Sequence, residues 1–143
     1  MTATEAGFAL DPRLAADTLP IGDLGLSRVL LMNDARFPWL ILVPRRADVR
    51  EVIDLTEADQ QRLLQEIAQC SQVLRAMTRP DKLNIAALGN VVAQLHVHVI
   101  ARFKTDVAWP RPVWGVGSGQ VYSAAELSTR MSALHAALNL AST

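Results

Sequence analysis

The sequence predicts an α+β fold built on an antiparallel sheet. Two observations carry this. Apolar runs rich in Val, Leu and Ile fall in groups around two long amphipathic stretches, in the order strands, helix, strands, helix. Alternating βα units, the mark of a doubly wound sheet, are absent. About five strands and two main helices are expected, with the helices covering one face of the sheet.

The elements follow in order. Leu10 to Asp17 reads as a short helix, with Asp11 as N-cap and Pro12 at the first helical position. Leu19 to Leu26 carries Pro20, Gly22 and Gly25 and reads as loop or short strand. Arg28 to Asn33 and Trp39 to Val43 are apolar runs joined by the short link Asp34-Ala35-Arg36-Phe37-Pro38, which suggests an antiparallel hairpin stopped by Pro44. Arg45 and Arg46 then open a basic loop.

Thr56 to Thr78 is the clearest helix. Thr56 can cap it, and Asp59 sits where a capping partner belongs. Leu63, Ile67, Cys70, Leu74 and Met77 fall at helical spacing, with Leu64 and Val73 widening the stripe. Cys70 and Met77 are expected in the core. Leu83 to Leu88 reads as a strand, Gly89-Asn90 as a break, and Val91 to Phe103 as a further strand. Asp106 to Gly119 is a loop rich in Pro, Gly and Trp. Ser123 and Glu126 form a capping box for a last helix, whose apolar face is Leu127, Met131, Leu134 and Leu138. His135 lies beside that stripe and is expected at the surface or rim.

Composition bounds the function. A chain of 143 residues, half of them apolar, is expected to form one domain with one core. The formal net charge is zero, so nothing global points to nucleic acid or to a membrane surface. The single cysteine excludes an internal disulfide and fits a reducing compartment. No basic segment followed by an apolar run opens the chain, and no apolar run is long enough to span a bilayer, so a cytoplasmic protein is expected.

The chemistry gathers on Gln94-Leu95-His96-Val97-His98-Val99-Ile100. Strand alternation turns Gln94, His96, His98, Ile100 and Arg102 to one face and Leu95, Val97, Val99, Ala101 and Phe103 to the other. Side chains two positions apart on a strand are spaced by roughly 6.5–7 Å. Histidine can act as nucleophile, acid, base or metal ligand near neutral pH. An isolated His-x-His pair is equally compatible with a polar pair on a solvated sheet face.

This stretch resembles the motif of the histidine triad superfamily, His-apolar-His-apolar-His-apolar-apolar. Six of seven positions fit, and Gln94 stands where the first histidine belongs. The surrounding order also fits: hairpin, long helix, strand, Gly-Asn turn, motif, Trp-Pro loop. The resemblance covers about residues 25–115. It implies a HIT-like fold over a single domain, residues 1–143, with an N-terminal extension, residues 1–24, and a C-terminal helix over about 123–141.

The resemblance further implies nucleotidyl hydrolysis or transfer on a dinucleoside polyphosphate or nucleoside phosphoramidate. His96, the middle position, is the implied nucleophile at the α-phosphate, and His98 acts on the phosphate and the leaving group. Asn90 matches a phosphate contact and Asn33 a ribose contact. An amide at Gln94 can position a substrate by hydrogen bonds but cannot shuttle protons. Alternation alone adds Arg102 as a phosphate ligand. Trp109 and Trp114 are candidates for stacking or for packing under the loop. No metal or other cofactor is expected, because donors and cations on the protein can carry the phosphate charge. A homodimer is implied by relatives that pair their sheets. Two alternatives stand beside the enzyme: a nucleotide-binding protein without turnover, and a metal site on His96 and His98, which needs further ligands in reach.

Overall fold

The computed structural model describes residues 5–142. Expectations touching residues 1–4 and 143, including part of the N-terminal extension, lie outside the described residues.

The N-terminal helix forms as its residues dictate. Asp11 accepts a hydrogen bond from the Arg13 amide, Pro12 takes the first position, and α1 runs Pro12–Asp17. The next stretch is a strand, β1 (Thr18–Asp23), and its register with β2 shifts between Pro20 and Gly22. Proline lacks the ladder donor, so it sits on an edge strand at an irregularity. The expected hairpin is β2 (Ser27–Met32) and β3 (Trp39–Pro44). Helix α2 (Glu57–Thr78) begins at Thr56, whose hydroxyl accepts from the Asp59 amide. Strand β4 (Lys82–Ala86), strand β5 (Val97–Arg102) and helix α3 (Ala124–Leu138) complete the fold. All neighbours are antiparallel, in the order β1-β2-β3-β5-β4.

The two main helices cover one face, as expected. Val29, Leu31, Leu40, Leu42, Val99 and Ala101 pack there against Cys70 and Leu74 of α2 and Leu134 and Leu138 of α3. The opposite face is not open. Leu30, Trp39, Ile41, Val43 and Ile100 are covered by Leu14 of α1 and by Ala108 and Val113 of the Trp-Pro loop. All six residues of β3 are therefore buried. Such two-sided burial explains why Trp39-Leu40-Ile41-Leu42-Val43 reads as an unbroken apolar run rather than an alternating one.

Three expectations need correction. The motif strand does not run from Val91: β5 starts at Val97. Its partners end there. β3 stops at Pro44, with Leu42 paired to Val97, and β4 stops at Ala86, paired to His98. The lead-in residue Leu95 instead bonds the carbonyl of Val49 through its amide. Second, Leu64 does not widen the apolar stripe of α2; it is 68% exposed. Third, Met77, expected in the core, is 37% exposed, because it lies in the last turn of α2 and faces an open cleft beside Tyr122 and Ala125. The apolar stripe of α2 also carries a buried carboxylate, Glu66, which accepts from the amides of Leu26 and Ser27.

The C-terminus closes the free edge of β1. Asp23 and Ala141 exchange backbone hydrogen bonds of 2.8 and 3.0 Å. Gly22 makes the approach possible, since a Cβ there would lie 2.6 Å from the carbonyl oxygen of Ala141. No helix among the described residues is long and apolar enough to cross a membrane.

Candidate active site

His96 and His98 come together at the start of β5, with ring centroids 4.9 Å apart and rings nearly perpendicular. Both are buried, at 7% and 4% exposure. Their hydrogen bonds fix opposite tautomers. Nδ1 of His96 lies 2.7 Å from the backbone carbonyl of Gln94. A carbonyl only accepts, so Nδ1 carries the proton and Nε2 keeps its lone pair. Nδ1 of His98 accepts from the indole Nε1–H of Trp39 at 2.9 Å. Trp donates only, so the neutral His98 ring carries its proton on Nε2. Burial, and then the neighbouring His96, push the His98 pKa down from 6.5 to about 4. His98 is a neutral hydrogen-bond donor at neutral pH.

Aromatic rings frame this pair. Trp114 stands edge-on to His98, with centroids 5.0 Å apart, and edge-on to Trp39 at 5.8 Å. Trp114 remains 37% exposed, so it is the ring of this group that faces solvent. Trp109 instead packs beside the Arg102 guanidinium. Below His96 a cleft of about 40 Å³ is lined by Arg50, Leu88, Gly89 and Gln94 among others.

The remaining sequence-derived candidates fall in different places. Asn90 is exposed on the turn after Gly89, next to that cleft. Asn33 is turned elsewhere: its Oδ1 accepts from the amide of Tyr122, whose ring packs with the helix-side cluster. Arg102 is on the histidine face but is closed off, at 1% exposure. Its Nε and Nη2 donate to Asp106, its Nη1 to Asn84 and its Nη2 also to the Arg111 carbonyl. That corrects the expectation of an open phosphate ligand: the guanidinium holds the Trp-Pro loop on the sheet. Burial raises the Asp106 pKa, but hydrogen bonds from Arg102 and from the Phe103 and Trp109 amides outweigh it and hold the carboxyl at about 2. Gln94 lies beside His96, and its side chain is engaged with the backbone of Ala9 and Asp11.

Two site residues escaped the sequence reading. Trp39 reads as core because it opens an apolar strand, and nothing local reveals its bond to His98. Arg50 lies in the basic loop that Arg45 and Arg46 open, and no local pattern separates it from that pair. Those two are engaged instead, Arg45 with Glu5 and Arg46 with Asp59. Among the described residues no three His, Cys, Asp or Glu side chains gather as a metal site.

Fold and site together define a class: small α+β domains that carry a His-x-His pair at the start of an inner strand of one antiparallel sheet. The chain belongs to the HIT domain family, whose model matches residues 13–105. It is similar to a histidine triad protein of Bradyrhizobium japonicum, with 53% identity, 92% of this chain and 98% of that one covered, and a TM-score of 0.90. A histidine triad (HIT) protein of Sinorhizobium meliloti 1021 is 50% identical over 90% of this chain and 96% of that one, with a TM-score of 0.88. One of Marinobacter aquaeolei VT8 is 44% identical over 94% and 98%, with a TM-score of 0.91. Among curated proteins none matches. Membership supports a role of the superfamily kind, nucleotide binding or nucleotide hydrolysis or transfer.

Proposed function

We propose that the protein is a nucleotide phosphohydrolase or nucleotidyl transferase acting through a covalent nucleotidyl-His96. The observation that supports this is the complementary tautomer pair. His96 presents a lone pair on Nε2, and His98 presents a proton on Nε2. On this reading His96 Nε2 attacks the α-phosphorus of a dinucleoside polyphosphate or nucleoside phosphoramidate. An N–P bond forms, and the P–O or P–N bond to the leaving group breaks. His98 donates to a phosphate oxygen, where negative charge develops. His98 stays neutral, with Nδ1 taken by the Trp39 indole, and steadies the departing oxygen or nitrogen by its Nε2–H hydrogen bond. A departing phosphate leaves as the anion, and a departing amine takes its proton from solvent. Water or another acceptor then attacks phosphorus, the N–P bond breaks and His96 is restored. Asn90 and Arg50 stand near enough to the cleft to hold phosphate, and Trp114 offers an exposed ring to the base or leaving group.

The test is intact-mass spectrometry after brief incubation with diadenosine tetraphosphate or an adenosine phosphoramidate, with His96→Ala alongside. An acid-labile adenylyl adduct on His96, absent in the variant, is expected. Neither adduct nor turnover in the parent overturns the reading. The near-complete burial of both imidazoles favours the second reading, nucleotide binding without turnover, and bound nucleotide with no reaction is its signature.

The same proposal includes a cytoplasmic homodimer. β4 is an edge strand with Ile85 51% exposed, and Ile85 lines an apolar cleft together with Leu64 of α2. An open edge flanked by apolar side chains suits pairing with a second copy across a two-fold axis. Sedimentation equilibrium is expected to give twice the chain mass, and Ile85→Lys is expected to halve it. A monomeric parent at micromolar concentration contradicts the pairing.

A further inference from the structure

We propose that Gln94 is a positioning residue: its amide clips the segment Ala9–Asp11 to the start of the motif and, through that clip, holds His96 in its Nδ1–H tautomer. This rests on the reading of His96 as nucleophile and says how the chain organises it.

The clip is a pair of hydrogen bonds of opposite sense. Gln94 Oε1 accepts from the Asp11 amide at 2.9 Å, and Gln94 Nε2 donates to the Ala9 carbonyl at 2.8 Å. One amide thus serves a backbone donor and a backbone acceptor two residues apart, as a neighbouring strand does. A third tie runs parallel to it, from Arg13 Nη1 to the Val91 carbonyl at 2.8 Å. The clipped segment is seated on the histidine face, where Phe8, Leu10 and Leu14 pack with Trp39 and Ile100.

Gln94 needs such an anchor. It lies before the first residue of β5, so no ladder partner holds it. Yet its own carbonyl is the group that accepts the hydrogen bond from His96 Nδ1. The side chain fixes the residue, and the residue's main chain fixes the imidazole. The segment also carries Asp11, whose carboxyl is held below its ordinary range chiefly by its hydrogen bonds with Arg13. Once Nε2 is bonded to phosphorus while Nδ1 keeps its proton, the ring is cationic. A nearby carboxylate favours that state.

An imidazole at position 94 cannot do the same work. The donor and acceptor of a neutral imidazole sit on opposite edges of the ring and diverge, whereas those of an amide sit side by side at one end. Restoring the histidine of the family motif therefore opens the clip.

The experiment uses the full chain with Gln94→Ala, Gln94→His and Gln94→Glu. The last is isosteric, keeps the acceptor for Asp11, and replaces the donor to Ala9 by a negatively charged acceptor. NMR reads two quantities without any substrate: hydrogen exchange at the Asp11 amide, and the ¹⁵N shifts of the His96 ring. Adduct formation with diadenosine tetraphosphate is the third. In the Ala and His variants, Asp11 exchange is expected to rise about tenfold or more, the scale of one or two lost hydrogen bonds. The His96 shifts move toward a tautomer mixture, and adduct formation slows by a similar factor with little change in KM. The Glu variant shows the same signs at neutral pH, and decides the matter if the others fold poorly. Unchanged exchange and unchanged ring shifts in the variants overturn the inference, as does faster adduct formation in Gln94→His. If the parent forms no adduct but the variants show the NMR changes, the covalent reading falls and the clip stands.

Discussion

Two hydrogen bonds decide what the paired imidazoles can do. His96 donates a hydrogen bond from Nδ1 to a backbone carbonyl, and His98 accepts one at Nδ1 from an indole. Reversing either one removes the nucleophile or the donor. Trp39→Phe keeps an aromatic ring of smaller volume and deletes the indole donor, leaving Nδ1 of His98 buried and unpaired. A loss of about 1–3 kcal/mol is expected from chemical denaturation. The His98 ¹⁵N shifts should also show a mixed tautomer. A variant as stable as the parent, with an unmixed tautomer, shows that the indole bond is not what orients His98. The His-x-His pair was legible from spacing, because alternation puts such residues on one face whatever surrounds them. The Trp39 bond was not, since it joins residues fifty-nine apart in the chain. Arg102 shows the converse. Alternation placed it on the right face, but only the fold brings Asp106, Asn84 and the Arg111 carbonyl around its guanidinium.

Elements were read well where the signal is local. Thr56 and Ser123 cap their helices by accepting from Asp59 and Glu126, three residues on, as the sequence pattern requires. Ends that depend on a partner were misplaced. The strand at the motif begins six residues later than its apolar pattern suggests, because β3 and β4 end first. Glu66 joins elements in a way that no periodicity signals. Its carboxylate, on the inner face of α2, takes the two amides that open β2, and the residue is 3% exposed. Glu66→Ala leaves both amides buried without acceptors. A destabilisation of about 2–4 kcal/mol is expected, with Glu66→Gln losing less because one acceptor remains. Urea unfolding of the two variants measures this, and equal losses for Ala and Gln contradict the clamp.

Across the whole molecule, the buried titrating groups set the acid limit of stability. The folded-state pKa of His98 is pushed down, so the unfolded chain takes up this proton first as pH falls. Its contribution is full above the ordinary value of 6.5 and is lost on the way down to about 4. Asp106 acts lower, with its contribution lost between 3.8 and about 2. The denaturation midpoint is therefore expected to fall in two stages on acidification. His98→Gln should flatten the upper stage and leave the lower one. A midpoint constant from neutral pH down to 4 contradicts the assignment.

What the sequence by itself determined is the class of fold, the hairpin, the capped helices and the histidine pair. Each rests on periods, caps and turns that act over a few residues. Only the tertiary structure decided how the site is furnished. It buried the face that carries the histidines under α1 and the Trp-Pro loop, turned Asn33 toward Tyr122 and closed Arg102 around Asp106. It also set Gln94 against Ala9 and Asp11, across more than eighty residues of chain. The physical reason is the same in each case. A buried polar group must find a partner, and which partner lies within reach depends on how distant segments pack rather than on their sequence neighbours.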